Sequence, residues 1–179
     1  MNIIVKPYGS DLCYCRPDTT WERENKDFYS PECVNEIYWT PVVFARISKA
    51  GKCVGKKFVE RYYDGIGCGM LMYCGNSTVV DKSSILPHPL FQPVVFEDEK
   101  EFVVNVSPAS QSNVVILSGA KDLIEEALCT ASQLTSLRIG DFVAVELKEQ
   151  QKLASKEDGT VAVKGEFCEK EIFSFNIIF

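Results

Sequence analysis

The stretch Gly51-Lys52-Cys53-Val54-Gly55-Lys56-Lys57-Phe58-Val59-Glu60-Arg61-Tyr62-Tyr63-Asp64-Gly65-Ile66-Gly67-Cys68-Gly69-Met70-Leu71-Met72-Tyr73-Cys74 decides how this chain is read. Phe58 to Tyr63 suits a short helix, over about 55–63. Gly65 to Cys74 is apolar and punctuated by glycine, which predicts a buried strand approached closely by neighbouring backbone. Upstream, Ile37 to Ile47 is rich in Val, Ile, Tyr, Trp and Phe and reads as another strand, with Pro41 marking an edge or a bulge. Downstream, Val94 to Phe96 and Phe102 to Val106 flank the acidic turn Glu97-Asp98-Glu99-Lys100 and predict a hairpin. Val114 to Leu117 is a further strand candidate.

One helix stands out, at about 121–137. Leu123, Ile124, Ala127, Leu128, Ala131, Leu134 and Leu137 form one apolar stripe. Ser118 and Gly119 precede it as capping residues. Phe142 to Leu147, Thr160 to Phe167 and Lys170 to Ile178 alternate as strands. The segment Lys148 to Gly159 between them reads as an exposed polar loop. The fold class expected is α+β, mainly β: a mixed β roll with one main helix and one short helix, in a single domain over 1–179.

Composition narrows the function. The 179 residues carry 19 Lys and Arg against 25 Asp and Glu, a net charge of −6. Nucleic acid and anionic membrane surfaces call for clustered positive charge, so neither is expected as a partner. No apolar run reaches the roughly 20 residues that span a bilayer, and Met1 to Ser10 lacks a secretory pattern. A cytoplasmic location follows as the expectation, with the eight cysteines as free, mostly buried thiols. Their spacing includes no C-x-x-C pair of a zinc site.

His88 is the sole histidine. It lies between Pro87 and Pro89, which predicts a loop. Gly65-Ile66-Gly67-Cys68-Gly69 leads into a strand and makes a poor phosphate cradle. Asp64 and Asp81 read as turn residues. Either Cys68 or Cys74 would serve as a nucleophile only with a depressed pKa. Read on these grounds alone, the chain is an acidic, β-rich domain.

The opening stretch also resembles a known family. Gly51 to Gly69 is similar to the segment that reads G-K-x-I-x-E-K-F-A-x-R-Y-Y-D-E-I-G-x-G-I-D-F-T-A-R-D in bacterial members of the fumarylacetoacetate hydrolase family. Arg16-Pro17-Asp18-Thr19 resembles the K-P-D-T segment of that family, and Pro31 to Ile37 its I-P-x-x-x-x-E-I lead. Leu134 to Val143 resembles its helix end and L-K-x-G-D-L-I strand entry. The resemblance implies a mixed β roll and a homodimer. It also implies Mg²⁺ or Mn²⁺ chemistry that cleaves, decarboxylates or isomerises oxo- and dioxo-carboxylates.

Carried over by position, the implied site is missing. The two metal glutamates fall on Thr40 and Val42, and the metal aspartate on Leu71. The catalytic lysine falls on Thr78, after a shortened loop. The G-T-P turn that grips carboxylate falls on Glu146 to Gln151, with Leu147 at the G-T-P turn position. Between Met1 and Tyr14 there is no room for the lid motif that carries a histidine and a glutamate.

The expectation is a catalytically inactive homologue, with no catalytic, cofactor or metal residues and no cofactor. It would act as a binding or structural module, with a small carboxylate or an active relative as partner. Val42, Leu71 and Met72 would then fill the vacated pocket. The alternative is an active metal-dependent hydrolase, decarboxylase or isomerase with ligands relocated to Asp64, Asp81 or Glu146.

Overall fold

The computed structural model describes residues 1–75, 77–108 and 111–179. Its strands are β1 (Asn2–Lys6), β2 (Tyr14–Pro17), β3 (Trp21–Glu22), β4 (Phe28–Tyr29), β5 (Glu36–Ile47), β6 (Tyr63–Cys74), β7 (Ser84–Ile85), β8 (Lys100–Ser107), β9 (Gln111–Leu117), β10 (Phe142–Glu146), β11 (Gln151–Ser155), β12 (Thr160–Phe167) and β13 (Lys170–Ile178). The helix α1 is Ala120–Leu134. The α+β, mainly β roll expected from the sequence is present.

Eight strands form one mixed sheet, in the order β2-β1-β10-β5-β6-β7-β3, with β11 also paired to β5. Five form a second, in the order β4-β13-β12-β8-β9. Both β5 and β6 are apolar almost throughout because each face of their sheet is covered. One face, with Val43, Ala45, Ile66, Cys68 and Met70, packs against α1 and the inner face of the second sheet. The other face carries a separate small core of Ile3, Val5, Val42, Phe44, Leu71, Tyr73, Leu86, Phe142 and Ala144.

The larger sheet curls around that small core. Arg16 on edge strand β2 donates to Ser84 Oγ on β7 at 2.8 Å. Trp21 on the opposite edge packs edge-on against Phe142 of β10, 5.0 Å between ring centroids. Side chains that start on strands far apart in the sheet therefore meet inside it.

Several sequence readings need correction. Val94 to Phe96 is not a strand: Pro93–Phe96 is a 3₁₀ turn with proline at its start. Its Phe96 ring stacks on Phe167, 5.3 Å between centroids. The hairpin partner of β8 is instead β9. The polar segment 148–159 contains β11, whose Leu153 and Ala154 are buried and whose bulge pairs it with β5. Pro41 lies inside a central strand, at the junction where the neighbour of β5 changes from β10 to β11. A missing N–H is tolerated there, while Pro41 O still accepts from Leu147 N.

The short helix is 3₁₀, over Lys56–Arg61. The main helix stops at Leu134, and buried Leu137 pairs with Gly51 beyond it. Gly119 occupies the N-cap at φ +66°, and no side chain among the described residues caps the helix. Asp64 lies within β6 and not in a turn. Only Cys68 and Cys74 are buried; Cys15, Cys33, Cys53 and Cys168 are exposed, so "mostly buried" does not describe the thiols.

Candidate functional site

The register of β5 and β6 fixes the geometry of the carried-over positions. Thr40 lies directly opposite Leu71, and Val42 opposite Gly69. Side chains two apart on a strand share a face, so Thr40, Val42 and Leu71 converge on the concave side of the curled sheet. All three are fully buried. Gly69 is required at its position: a Cβ there would collide with the Ile85 carbonyl. The hydroxyl of Thr40 donates to Lys148 O at 2.7 Å, pinning the segment between β10 and β11.

These residues do not fit a hard divalent cation. Such ions take several oxygen ligands, with carboxylates among them. Val42 and Leu71 have no donor atom, which leaves the single neutral hydroxyl of Thr40 and no carboxylate. Met72, expected in the same pocket, faces the other way into the main core. Among the described residues no group of three or more His, Cys, Asp or Glu side chains is arranged to hold a metal ion. Asp64 forms a two-point pair with Arg46 at 3.2 and 2.7 Å. Asp81 is exposed. The three candidate relocated ligands therefore do not come together.

Above the buried triangle is a polar cluster. Tyr73 is two residues beyond Leu71 on the same face of β6, and Tyr14 and Arg16 come from β2. Arg16 is wholly buried, its guanidinium over the Tyr73 ring, 4.6 Å from the centroid. It donates to Met72 O at 2.7 Å, Ser83 O at 3.2 Å and Ser84 Oγ at 2.8 Å, while its Nε has no hydrogen-bond acceptor among the described residues.

The Tyr14 and Tyr73 hydroxyls are 2.6 Å apart, and Tyr73 donates onward to Glu146 Oε1. Tyr8 N donates to Glu146 Oε2 at 3.1 Å. Burial, then the nearby Tyr14 and Glu146, pushes the Tyr73 phenol well above the ordinary tyrosine range. Burial also raises Tyr14.

A cavity of about 250 Å³ opens on this cluster, lined by Pro7, Tyr14, Tyr73, Gly75, Thr78, Glu146 and Gln150. Two carried-over features thus reach it: Thr78, at the lysine position, and the segment at the G-T-P position, through Glu146 and Gln150. Leu147 lies at a second cavity that shares Pro7 and Glu146 with the first. The shortened loop before Thr78 includes Asn76, which lies outside the described residues.

Sequence reasoning named Glu146 and Thr78 but missed Tyr14, Arg16 and Tyr73. The available signal was the i, i+2 pair Tyr14/Arg16 beside the Arg-Pro-Asp-Thr segment.

The other sequence candidates are elsewhere. His88 is an exposed loop residue beside Trp21, and desolvation followed by Arg46 and Arg23 lowers its pKa. Burial raises the Cys68 thiol, and it pushes Cys74 up to about 11. Both shifts run opposite to what a thiolate nucleophile needs.

The fold has close counterparts among solved structures. Fumarylpyruvate hydrolase from Pseudomonas aeruginosa, solved with Mn²⁺ and pyruvate, superposes with a TM-score of 0.79 at 12% identity, covering 100% of this chain and 90% of that one. Maleylpyruvate hydrolase from Sphingobium sp. SYK-6 gives 0.77 at 13%, covering 99% and 70%. The 5-carboxymethyl-2-hydroxymuconate delta-isomerase of Mycobacterium smegmatis gives 0.79 at 11%, covering 99% and 78%. No protein-family sequence model matches the chain, and no curated protein does. The fold is that of the fumarylacetoacetate hydrolase family: a structure of a protein of that family from Yersinia pestis CO92 superposes with a TM-score of 0.78 at 12% identity, covering 99% of this chain and 92% of that one.

Proposed function

We propose that this chain uses the fumarylacetoacetate hydrolase fold without its metal-dependent chemistry, as a binding or structural module. One observation carries the reading: the three metal positions implied by the resemblance, Thr40, Val42 and Leu71, are a closed floor without a carboxylate, Val42 and Leu71 in the small apolar core and the Thr40 hydroxyl bonded to Lys148 O. On this reading the chain takes no Mg²⁺ or Mn²⁺ and works in the cytoplasm of a bacterium. It pairs with a second copy or with an active relative of the same fold. No helix among the described residues is long and apolar enough to cross a membrane.

The competing reading is a metal-dependent hydrolase, decarboxylase or isomerase with relocated ligands. Of its three candidates only Glu146 reaches the cavity, and one carboxylate is a poor cage for a hard cation. The test is turnover of acylpyruvates and oxaloacetate with added Mg²⁺ or Mn²⁺. We expect no rate above the metal-only blank. Turnover that a chelator abolishes would overturn the proposal.

A further inference from the structure

On the Tyr14, Tyr73 and Glu146 side of the cavity the hydrogen-bonding capacity is weighted toward acceptors, while Thr78 and Gln150 elsewhere in its wall can each donate or accept. A phenol has a single proton to donate. Tyr73 gives its proton to Glu146 Oε1. Tyr14 and Tyr73 are 2.6 Å apart, so the proton shared between them is that of Tyr14. The Tyr8 N–H is used on Glu146 Oε2. What these groups still offer the cavity is lone pairs only, on two phenol oxygens and on a carboxylate with room for about four hydrogen bonds.

The charge points the same way. Glu146 forms no ion pair with any described residue, although it is only 6% exposed. Arg16 lies behind the Tyr73 ring and its charge is felt at both tyrosines, but it is not part of the cavity wall, where Glu146 is the charged side chain among the described residues. The adjoining cavity, about 310 Å³, adds Asp11 and Glu126 against one lysine, Lys6, which is paired with Glu126 at 2.7 Å. An oxo-carboxylate would bring a second negative charge to this wall. An ammonium group would bring three donors and the opposite charge.

We propose that this site binds the ammonium end of a small aliphatic amine, with Glu146 as counter-charge and the Tyr14 and Tyr73 oxygens as further acceptors. The volume is below the about 300–1,000 Å³ of drug-sized ligand sites, so the ligand has few carbons. The inference rests on the reading that Glu146 is not a metal ligand.

The experiment is an NMR titration of the ¹⁵N-labelled full chain with 1,4-diaminobutane, and separately with pyruvate, at low salt. The diamine should give saturable shifts at Thr78, Gln150 and Tyr14, and pyruvate should give none there. Glu146→Gln should weaken diamine binding about tenfold or more, and Asp64→Asn should leave it unchanged. Tyr14→Phe, which removes an acceptor without touching the carboxylate, serves if Glu146→Gln does not fold, and it should also weaken binding.

Absence of saturable shifts, shifts confined to other surfaces, equal binding of pyruvate, or undiminished binding by the variants would each overturn the proposal. Adding Mn²⁺ to the same sample separates the two readings. Selective broadening around Glu146 would overturn both. A silent Mn²⁺ titration with no diamine binding would overturn this one alone.

Discussion

Leu71 is the position where the account is most exposed to test. Its side chain is fully buried in the small core, opposite Thr40 and among residues from β1, β5, β6 and β10. Leu71→Ala leaves a cavity that a curled sheet cannot easily collapse, and should cost about 2.7–5 kcal/mol. Leu71→Asp adds an unpaired carboxylate to the same space. Desolvation raises the folded-state pKa of that aspartate above its unfolded value of about 3.9.

The sign of the pH dependence follows. Below about pH 4 the new acid is neutral in both states and brings no charge penalty. As pH rises the unfolded form ionises first, so the variant loses about 1.4 kcal/mol per pH unit until the raised pKa is reached. With a shift of about three units the penalty near neutrality is about 4 kcal/mol on top of the packing loss. That sum is comparable to the about 5–15 kcal/mol that holds a domain folded.

The assay is urea unfolding of Leu71→Asp against Leu71→Asn, near pH 4, 5 and 7. The gap between the two variants should be small at the lowest pH and widen toward neutrality. A Leu71→Asp protein of wild-type stability would refute the reasoning. So would one whose midpoint rises with Mn²⁺, since position 71 would then be the wall of a wet, metal-ready pocket.

Three further outcomes follow from single contacts. Tyr73→Phe removes the donor to buried Glu146 Oε1 and should cost about 1–3 kcal/mol in urea unfolding; an unchanged midpoint would show the carboxylate is solvated. Gly69→Ala drives a methyl group into the Ile85 carbonyl and should cost about 1–3 kcal/mol, whereas Gly55→Ala, with open space around it, should change stability by about 0.5 kcal/mol or less. Thiol labelling of the native chain at about pH 8 should be fast at Cys33, Cys53 and Cys168, and slower at exposed Cys15, whose pKa partial burial and then Asp141 raise. Cys68 and Cys74 should react only on unfolding, because both are buried and their pKa values are raised; rapid native labelling of either would revive a thiol mechanism.

The long elements were legible because their patterns are local. The strands Thr160 to Phe167 and Lys170 to Ile178 alternate cleanly, and they fold with those limits. The α1 stripe was equally plain, although its end was not: Leu137 continues the spacing but is buried by pairing with Gly51, a tertiary contact. The short edge strands and β11 were hidden for a related reason. Gln151 to Ser155 has polar composition, and only the exposed flank of β5 makes a strand of it.

The site was legible in part. Register alone places Thr40, Val42 and Leu71 together, and the resemblance singled out those three. Of the Arg16–Tyr14–Tyr73–Glu146 cluster only the local Tyr14/Arg16 pair was readable, because the other members are brought to it by the curl of the sheet, across separations such as the 73 residues between Tyr73 and Glu146. Met72 was misassigned because period-two alternation turns a neighbour of Leu71 to the opposite face.

The central claim is that the concave face of β5 and β6 is packed core and not a metal centre. Electron paramagnetic resonance of Mn²⁺ with an equimolar amount of the full chain tests it most directly. The spectrum should keep the amplitude of free aqueous Mn²⁺. Loss of that signal in a one-to-one titration, restored by excess Mg²⁺, would contradict it.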